Sequence, residues 1–237
     1  ASYSNGYAES VLGGLLAKDL PRDEVTVLSK TGVTFGPQGR RVDVSRGGLM
    51  RGLEDTLRRL QTDYVDIYMM HRDNTEIPVG EFIDVLNEHV RAGRMRAFGG
   101  SNWTIARIEE ANAYAKKKGL LGFAAVSNNF SLAHMVNPVW GGCIHVSDKA
   151  SRAWHQKTQT PLMPWSSQAR GFFVIGSPNY QDDKSLSHCW YSDDNFKRQA
   201  RAKELAAKKG CEPIQIALAY VLCQPFPTFP LIGPRTP

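Results

Sequence analysis

The 237-residue chain predicts an α/β fold on a parallel sheet and, within that class, a (β/α)8 barrel. Short apolar runs alternate with helix-period segments along its whole length, the βαβα order that a parallel sheet needs. Several of those runs finish on polar or charged groups: Lys30, His71, Ser101 with Asn102, Ser127 with Asn128, Ser166 with Gln168, and Arg235 just past Ile232-Gly233. In a barrel every strand's C-terminal end opens on the same mouth, so such residues converge there. A doubly wound sheet would call for a strand–GxGxxG–helix unit, and Gly13-Gly14 and Gly99-Gly100 both lack the third glycine.

The elements follow in order. "EVTVLSK" (24–30) alternates like a strand up to its lysine. Residues 45–60 place Leu49, Leu53, Leu57 and Leu60 on one helical face, with Ser45 as cap. "YVDIYMM" reads as a buried strand that ends abruptly at His71. Residues 79–93 form a helix closed by Gly93, and "MRAFGGSN" (95–102) is a strand leading into a glycine pair and a polar dipeptide. A helix over 104–119 stops at Gly119. "FAAVSNN" is a strand, 147–158 a helix and "PLMPWSSQ" (161–168) a strand. Residues 170–192 carry Gly, Pro, Asn and Asp without a period and read as an irregular loop. Two helices, "NFKRQARAKELAAKKG" and "PIQIALAYVLCQ", and the strand "TFPLIG" close the series. No linker or low-complexity tract divides it, so residues 1–237 read as one domain.

Composition narrows the class. With 22% charged and 42% hydrophobic residues the chain is globular. No window reaches the roughly 18 apolar residues of a membrane span, and nothing at the start resembles a signal peptide. The net charge of +6 is scattered over helix faces without interleaved aromatics, which speaks against a nucleic-acid stripe. Cys143, Cys189, Cys211 and Cys223 contain no CxxC pair, so neither a metal nor a disulfide framework is expected. A reduced, cytoplasmic setting is the default.

Six segments, taken in order, resemble the aldo-keto reductase superfamily: "YSNGYAESVLGGLL", "RDEVTVLSKTG", "LEDTLRRLQTDYVDIYMMHR", "RMRAFGGSNW", "PLMPWSSQARGFF" and "FPLIGPRTP". The resemblance implies NADPH-dependent reduction of an aldehyde or ketone, a small-molecule carbonyl substrate. It implies Tyr3 as general acid, Lys30 lowering the tyrosine pKa, and His71 orienting the carbonyl. Ser101, Asn102 and Ser127 would hold the nicotinamide carboxamide, Ser127 standing where many members carry glutamine. Trp165 would stack on the nicotinamide, and Ser166, Gln168 and Arg170 would wrap the pyrophosphate. Gly233, Arg235 and Thr236 would open the loop around the 2′-phosphate and adenosine. A guanidinium fork at Arg235 favours NADPH over NADH.

The family's aspartate five residues before the tyrosine would precede Ala1, so the chain reads as a barrel lacking its first two strands and last helix. Chemically the set is coherent. Developing alkoxide charge needs donors aimed at it, and an ammonium beside a phenol brings an ordinarily sluggish acid towards neutral pH. Trp140, Phe172, Phe173 and Trp190 suggest apolar walls for a bulky carbonyl. Competing readings are an NADPH-binding, redox-sensing regulatory subunit with little turnover, a Schiff-base enzyme with Lys30 as nucleophile, and a fragment with open sheet edges. Substrate identity and oligomeric state are not legible.

Overall fold

The computed structural model describes residues 3–36 and 39–233, with side chains described over 5–33 and 41–233. The chain divides into two compact units, Ala1–Ala125 and Val126–Pro237.

In the first unit a 3-10 turn, Tyr3–Gly6, leads into α1 (Tyr7–Lys18). Then come β1 (Leu28–Thr31), an antiparallel hairpin of β2 (Val33–Gly36) and β3 (Gly39–Val42), and α2 (Arg46–Leu60). They are followed by β4 (Val65–Met70), α3 (Val79–Arg91), β5 (Met95–Gly100) and α4 (Ile105–Lys118). The sheet order is β1-β4-β5-β6, where β6 is Ala125–Val126. Strands β1, β4 and β5 pair in parallel, with Lys30 opposite Met69 and Met70 opposite both Thr31 and Gly100. That register brings three strand ends level.

Local chemistry explains the boundaries. Ser45 caps α2 by accepting from Gly48 N at 3.2 Å, as its sequence position predicts. Thr104 caps α4 in the same way, and Gly119, at φ 65°, ends it. On α2 the buried face is Leu49, Leu53, Thr56 and Leu60, with Leu57 only half-buried. Thr56 takes the seat expected for Leu57 because its hydroxyl donates to the buried Glu9 carboxylate at 3.0 Å. Ser29 and Arg59 also donate to Glu9, at 2.5 and 2.7 Å, so one carboxylate ties α1 to β1 and α2. β5 ends on glycine because its neighbour runs close: a Cβ on Gly99 would sit 2.2 Å from Ala125 O.

The second unit holds α5 (Lys149–Thr158), α6 (Phe172–Ile175), α7 (Lys184–Trp190), α8 (Asp193–Lys209) and α9 (Pro213–Leu222). The strands expected at 161–168 and in "TFPLIG" shrink to parallel bridges, Val126 with Leu162 and Leu162 with Thr228. Prolines 161, 164, 227 and 230 have no N–H to donate, so the ladder survives only at alternate groups. Leu162 N still donates to Pro227 O, and Phe229 N to Leu162 O. Residues 170–192, expected as an irregular loop, hold two short helices, α6 and α7, with non-helical chain between them. Asp183 caps α7 by accepting from Leu186 N at 2.8 Å, and Leu186, Cys189 and Trp190 face inward.

Candidate functional site

In the first unit the sheet register sets the site. Lys30 lies near the end of β1, His71 directly follows β4, and Ser101 directly follows β5. The backbone continues the ladder through these positions: His71 N donates to Thr31 O at 2.8 Å and Ser101 N to Met70 O at 2.8 Å. Asn102, left-handed at φ 60°, turns its amide back to donate from Nδ2 to His71 O at 3.2 Å and to Ser101 Oγ at 3.1 Å. A small polar side chain tolerates that conformation. Four residues separated by up to 72 positions in the chain thus meet along one edge of three adjacent strands.

Electrostatics single out Lys30. It is 2% exposed, and burial, reinforced by the neighbouring Arg72 charge, lowers its pKa from the ordinary 10.5 to about 8. His71 is half-buried, whereas Ser101 and Asn102 are buried. The loop beyond His71 is anchored: Arg107 of α4 donates to Asp73 at 3.0 Å and to Asn74 O at 3.2 Å. Trp103 packs edge-on against Phe82 and Phe123, with centroids 5.3 and 4.9 Å away, and fixes the backbone just past Asn102.

In the second unit Ser127 is fully buried at the end of β6. Asn129 bridges to both His145 and Trp165, and its Nδ2 donates to Trp165 O at 3.0 Å. Trp165 is half-buried, its ring centroid 6.3 Å from that of Trp140. Beyond it Ser166, Ala169 and Arg170 take left-handed φ values of 50°, 49° and 51°. Backbone that alternates hands in this way forms the concavities that bind anions. Ser167 ties the loop down by donating to Leu231 O at 2.9 Å. Gln168 is half-buried, and Arg170 and Gly233 are exposed.

Of the residues singled out in the sequence, Lys30, His71, Ser101 and Asn102 gather in the first unit. Ser127, Trp165, Ser166, Gln168, Arg170 and Gly233 lie in the second. The Tyr3 side chain, Arg235 and Thr236 lie outside the described residues. The apolar walls expected from Phe172, Phe173 and Trp190 are not walls. All three are core residues, packed with Ala133, Leu186, Cys189, Ala202 and Ala217, and only Trp140 is exposed. Arg72 was missed; an arginine directly after His71 was the available signal.

In the first unit Ser101 and Asn102 offer a hydroxyl and an amide, and in the second Ser127 offers a hydroxyl. Trp165 Nε1 is a buried donor without a hydrogen-bond partner among the described residues. Among the described residues no group of three or more His, Cys, Asp or Glu could hold a metal ion, and no helix is long and apolar enough to cross a membrane.

The family model described as Aldo/keto reductase family matches residues 1–237. Aldo-keto reductase dtxS3 of Metarhizium robertsii is 24% identical, over 98% of this chain and 67% of its own length. A probable voltage-gated potassium channel subunit beta of Oryza sativa is 26% identical, over 94% of this chain and 68% of its own. The crystal structure of a thermostable aldo-keto reductase with the inhibitor epalrestat matches at a TM-score of 0.71 and 26% identity, covering 98% of this chain and 70% of that one.

Proposed function

The chain belongs to the aldo/keto reductase family and has its α/β barrel fold class, and from that premise we propose that it reduces an aldehyde or ketone to the alcohol with NADPH. The observation that carries this reading is the buried, pKa-lowered Lys30 on the strand next to the one that ends at His71. NADPH, when bound, supplies the hydride. The chain's own residues bind, orient and move the proton.

Tyr3 is proposed to give its phenolic proton to the carbonyl oxygen. A phenol is weakly acidic near pH 7, and the Lys30 ammonium makes proton loss easier by stabilising the phenolate. His71, as a neutral imidazole, donates a second hydrogen bond to the same oxygen and fixes the carbonyl's direction. Ser101, Asn102 and Ser127 orient the carboxamide, Trp165 stacks on the ring, and the turn that carries Ser166, Gln168 and Arg170 takes the pyrophosphate. Gly233, Arg235 and Thr236 are assigned to the 2′-phosphate end.

The test is NADPH binding by fluorescence together with NADPH oxidation in the presence of an aromatic aldehyde. Replacing His71 with Ala, or Tyr3 with Phe, is expected to lower kcat/KM by at least about 100-fold with NADPH binding retained. A chain that binds NADPH tightly yet never oxidises it would favour the second reading, a redox-sensing regulatory subunit. The similarity to the rice potassium channel subunit supports that alternative.

A further inference from the structure

Between β4 and α3 the chain turns through residues 71–78, and one guanidinium holds three residues of that turn. Arg107, in the first turn of α4, donates from Nε to Asp73 Oδ2 at 3.0 Å and from Nη2 to Asn74 O at 3.2 Å and to Ile77 O. Nη2 also reaches Asp73 Oδ1 at 3.5 Å, so the carboxylate meets the fork of the guanidinium. The turn is closed on itself as well. Glu76 N donates to Asn74 Oδ1 at 3.0 Å and Ile77 N to Asn74 O at 3.1 Å. Glu110, exposed at the rim, accepts from Arg107 Nη1 at 3.2 Å.

Arg107 also backs the residue that holds His71 from the other side. His71 O accepts from Asn102 Nδ2, and Asn102 runs straight into Trp103. The Arg107 guanidinium carbon lies 5.6 Å from the Trp103 ring centroid, within cation–π range. A Cβ on Gly100 would lie 2.8 Å from Trp103 Cγ, so the ring rests against the end of β5. Thr104 Oγ1 accepts from Arg107 N at 3.3 Å, which ties the first turn of α4 to the same strand end. The chain leaving His71 and the chain leaving Asn102 therefore meet at one side chain.

Stability is a weak account of this arrangement. The Arg107 and Asp73 side chains are each 11% exposed. Burial, the largest influence on Asp73, raises its carboxyl above the ordinary 3.8 although Arg107 pulls it down. An ion pair taken out of water in this way adds little net stability. What the contacts supply is direction.

We propose that Arg107 is a positioning residue for His71, fixing through Asp73, Asn74 O and Ile77 O the direction in which the chain leaves β4 and with it the aim of the imidazole. Its part in catalysis rests on the reading of His71 as donor to the carbonyl oxygen; its hold on the turn does not. A misaimed donor weakens the hydrogen bond to the developing alkoxide and leaves the cofactor's contacts in place. Lysine would keep the charge but lose the fork.

The test uses Arg107→Met, Arg107→Lys and Asp73→Asn in the full chain, each alone and combined with His71→Ala. Arg107→Met is expected to lower kcat and kcat/KM for an aromatic aldehyde together, by at least about tenfold, with the NADPH Kd from fluorescence unchanged. Arg107→Lys should recover part of the loss. In the His71→Ala background Arg107→Met should cost less than about twofold, because its effect runs through the missing ring. The His71 ring signal in the NMR spectrum, assigned by its absence in His71→Ala, should shift or broaden in Arg107→Met while the amide spectrum keeps its native dispersion. Asp73→Asn keeps the side chain's shape, removes its charge and answers the same questions should Arg107→Met not fold. A parent that never oxidises NADPH ends the reductase reading, and the His71 signal then decides the positioning role alone. An unmoved His71 signal, an unchanged kcat in a parent that turns over, or an equal loss with and without His71 overturns the proposal.

Discussion

Lys30 carries an ammonium where water barely reaches, and its chemistry and its cost to folding come from the same burial. Its folded pKa of about 8 lies below the ordinary 10.5, so above pH 8 the folded state has already lost a proton that the unfolded state keeps. The penalty is therefore full below pH 8 and is relieved as pH rises from about 8 to 10.5. The depression corresponds to about 3 kcal/mol. Lys30→Met is expected to raise unfolding stability at pH 7 by about 1–3 kcal/mol, and urea titrations at pH 7 and 10 should show that gain shrinking at the higher pH. An undiminished gain at pH 10 would mean that the lysine is not held charged against its environment. The proposed chemistry ties to the same group. Reductive kcat/KM of the parent should fall as pH rises through about 8, because the charge that acidifies the phenol is then lost. Lys30, His71, Ser101 and Asn102 were legible because each ends a strand and the strands are parallel. The degree of burial and the Arg72 charge were not, since they depend on which neighbours the sheet register supplies.

At the scale of elements, two adjacent glycines in α1 separate packing from propensity. A Cβ on Gly13 would lie 2.2 Å from Arg59 O and 2.8 Å from the Leu60 carbonyl carbon, so α1 rests directly on the end of α2. A Cβ on Gly14 meets nothing within 4 Å. Gly13→Ala must push the helices apart and is expected to cost at least about 2 kcal/mol. Gly14→Ala should stabilise by about 0.5–1 kcal/mol through helix propensity. Thermal or urea unfolding of the pair decides it, and equal effects would refute the close approach. The sequence showed "GG" without telling the two apart, because the difference lies in a partner helix more than forty residues away. Most helices were read within a residue or two because caps such as Ser45 and stops such as Gly119 are local. The stretch 170–192 was misread for the opposite reason. Its short helices have too few turns to show a period, and their apolar faces, Phe172, Phe173, Leu186 and Trp190, make sense only against α8 and α9. Gln199 of α8 fixes that contact by donating to Phe172 O and Gly176 O at 2.8 and 2.7 Å.

For the molecule as a whole, acid sensitivity follows from histidines buried or half-buried in both units. His89 in the first unit and His134 and His155 in the second all have pKa values lowered chiefly by burial. A histidine with a lowered folded pKa binds fewer protons folded than unfolded. Its contribution is thus present above about 6.5 and lost as pH falls towards the folded value, about 4 for His134. Carboxylates act later: Asp43, Asp66 and Asp148 are held below their ordinary 3.8 by hydrogen bonds and cationic neighbours, and protect stability until lower pH. Stability should therefore begin to fall below about pH 6.5, with a net proton uptake by the unfolded chain from these histidines, before the carboxylates contribute. Urea titrations at half-unit intervals from pH 7 to 4 give that slope directly. His155, fully buried and stacked on Phe226 at 5.2 Å, offers the control. His155→Gln should lower stability at pH 7 through lost packing while flattening the slope below pH 6.5. A slope unchanged in the variant would assign the acid response to other groups, whereas a flattened one ties it to imidazoles that the fold keeps neutral.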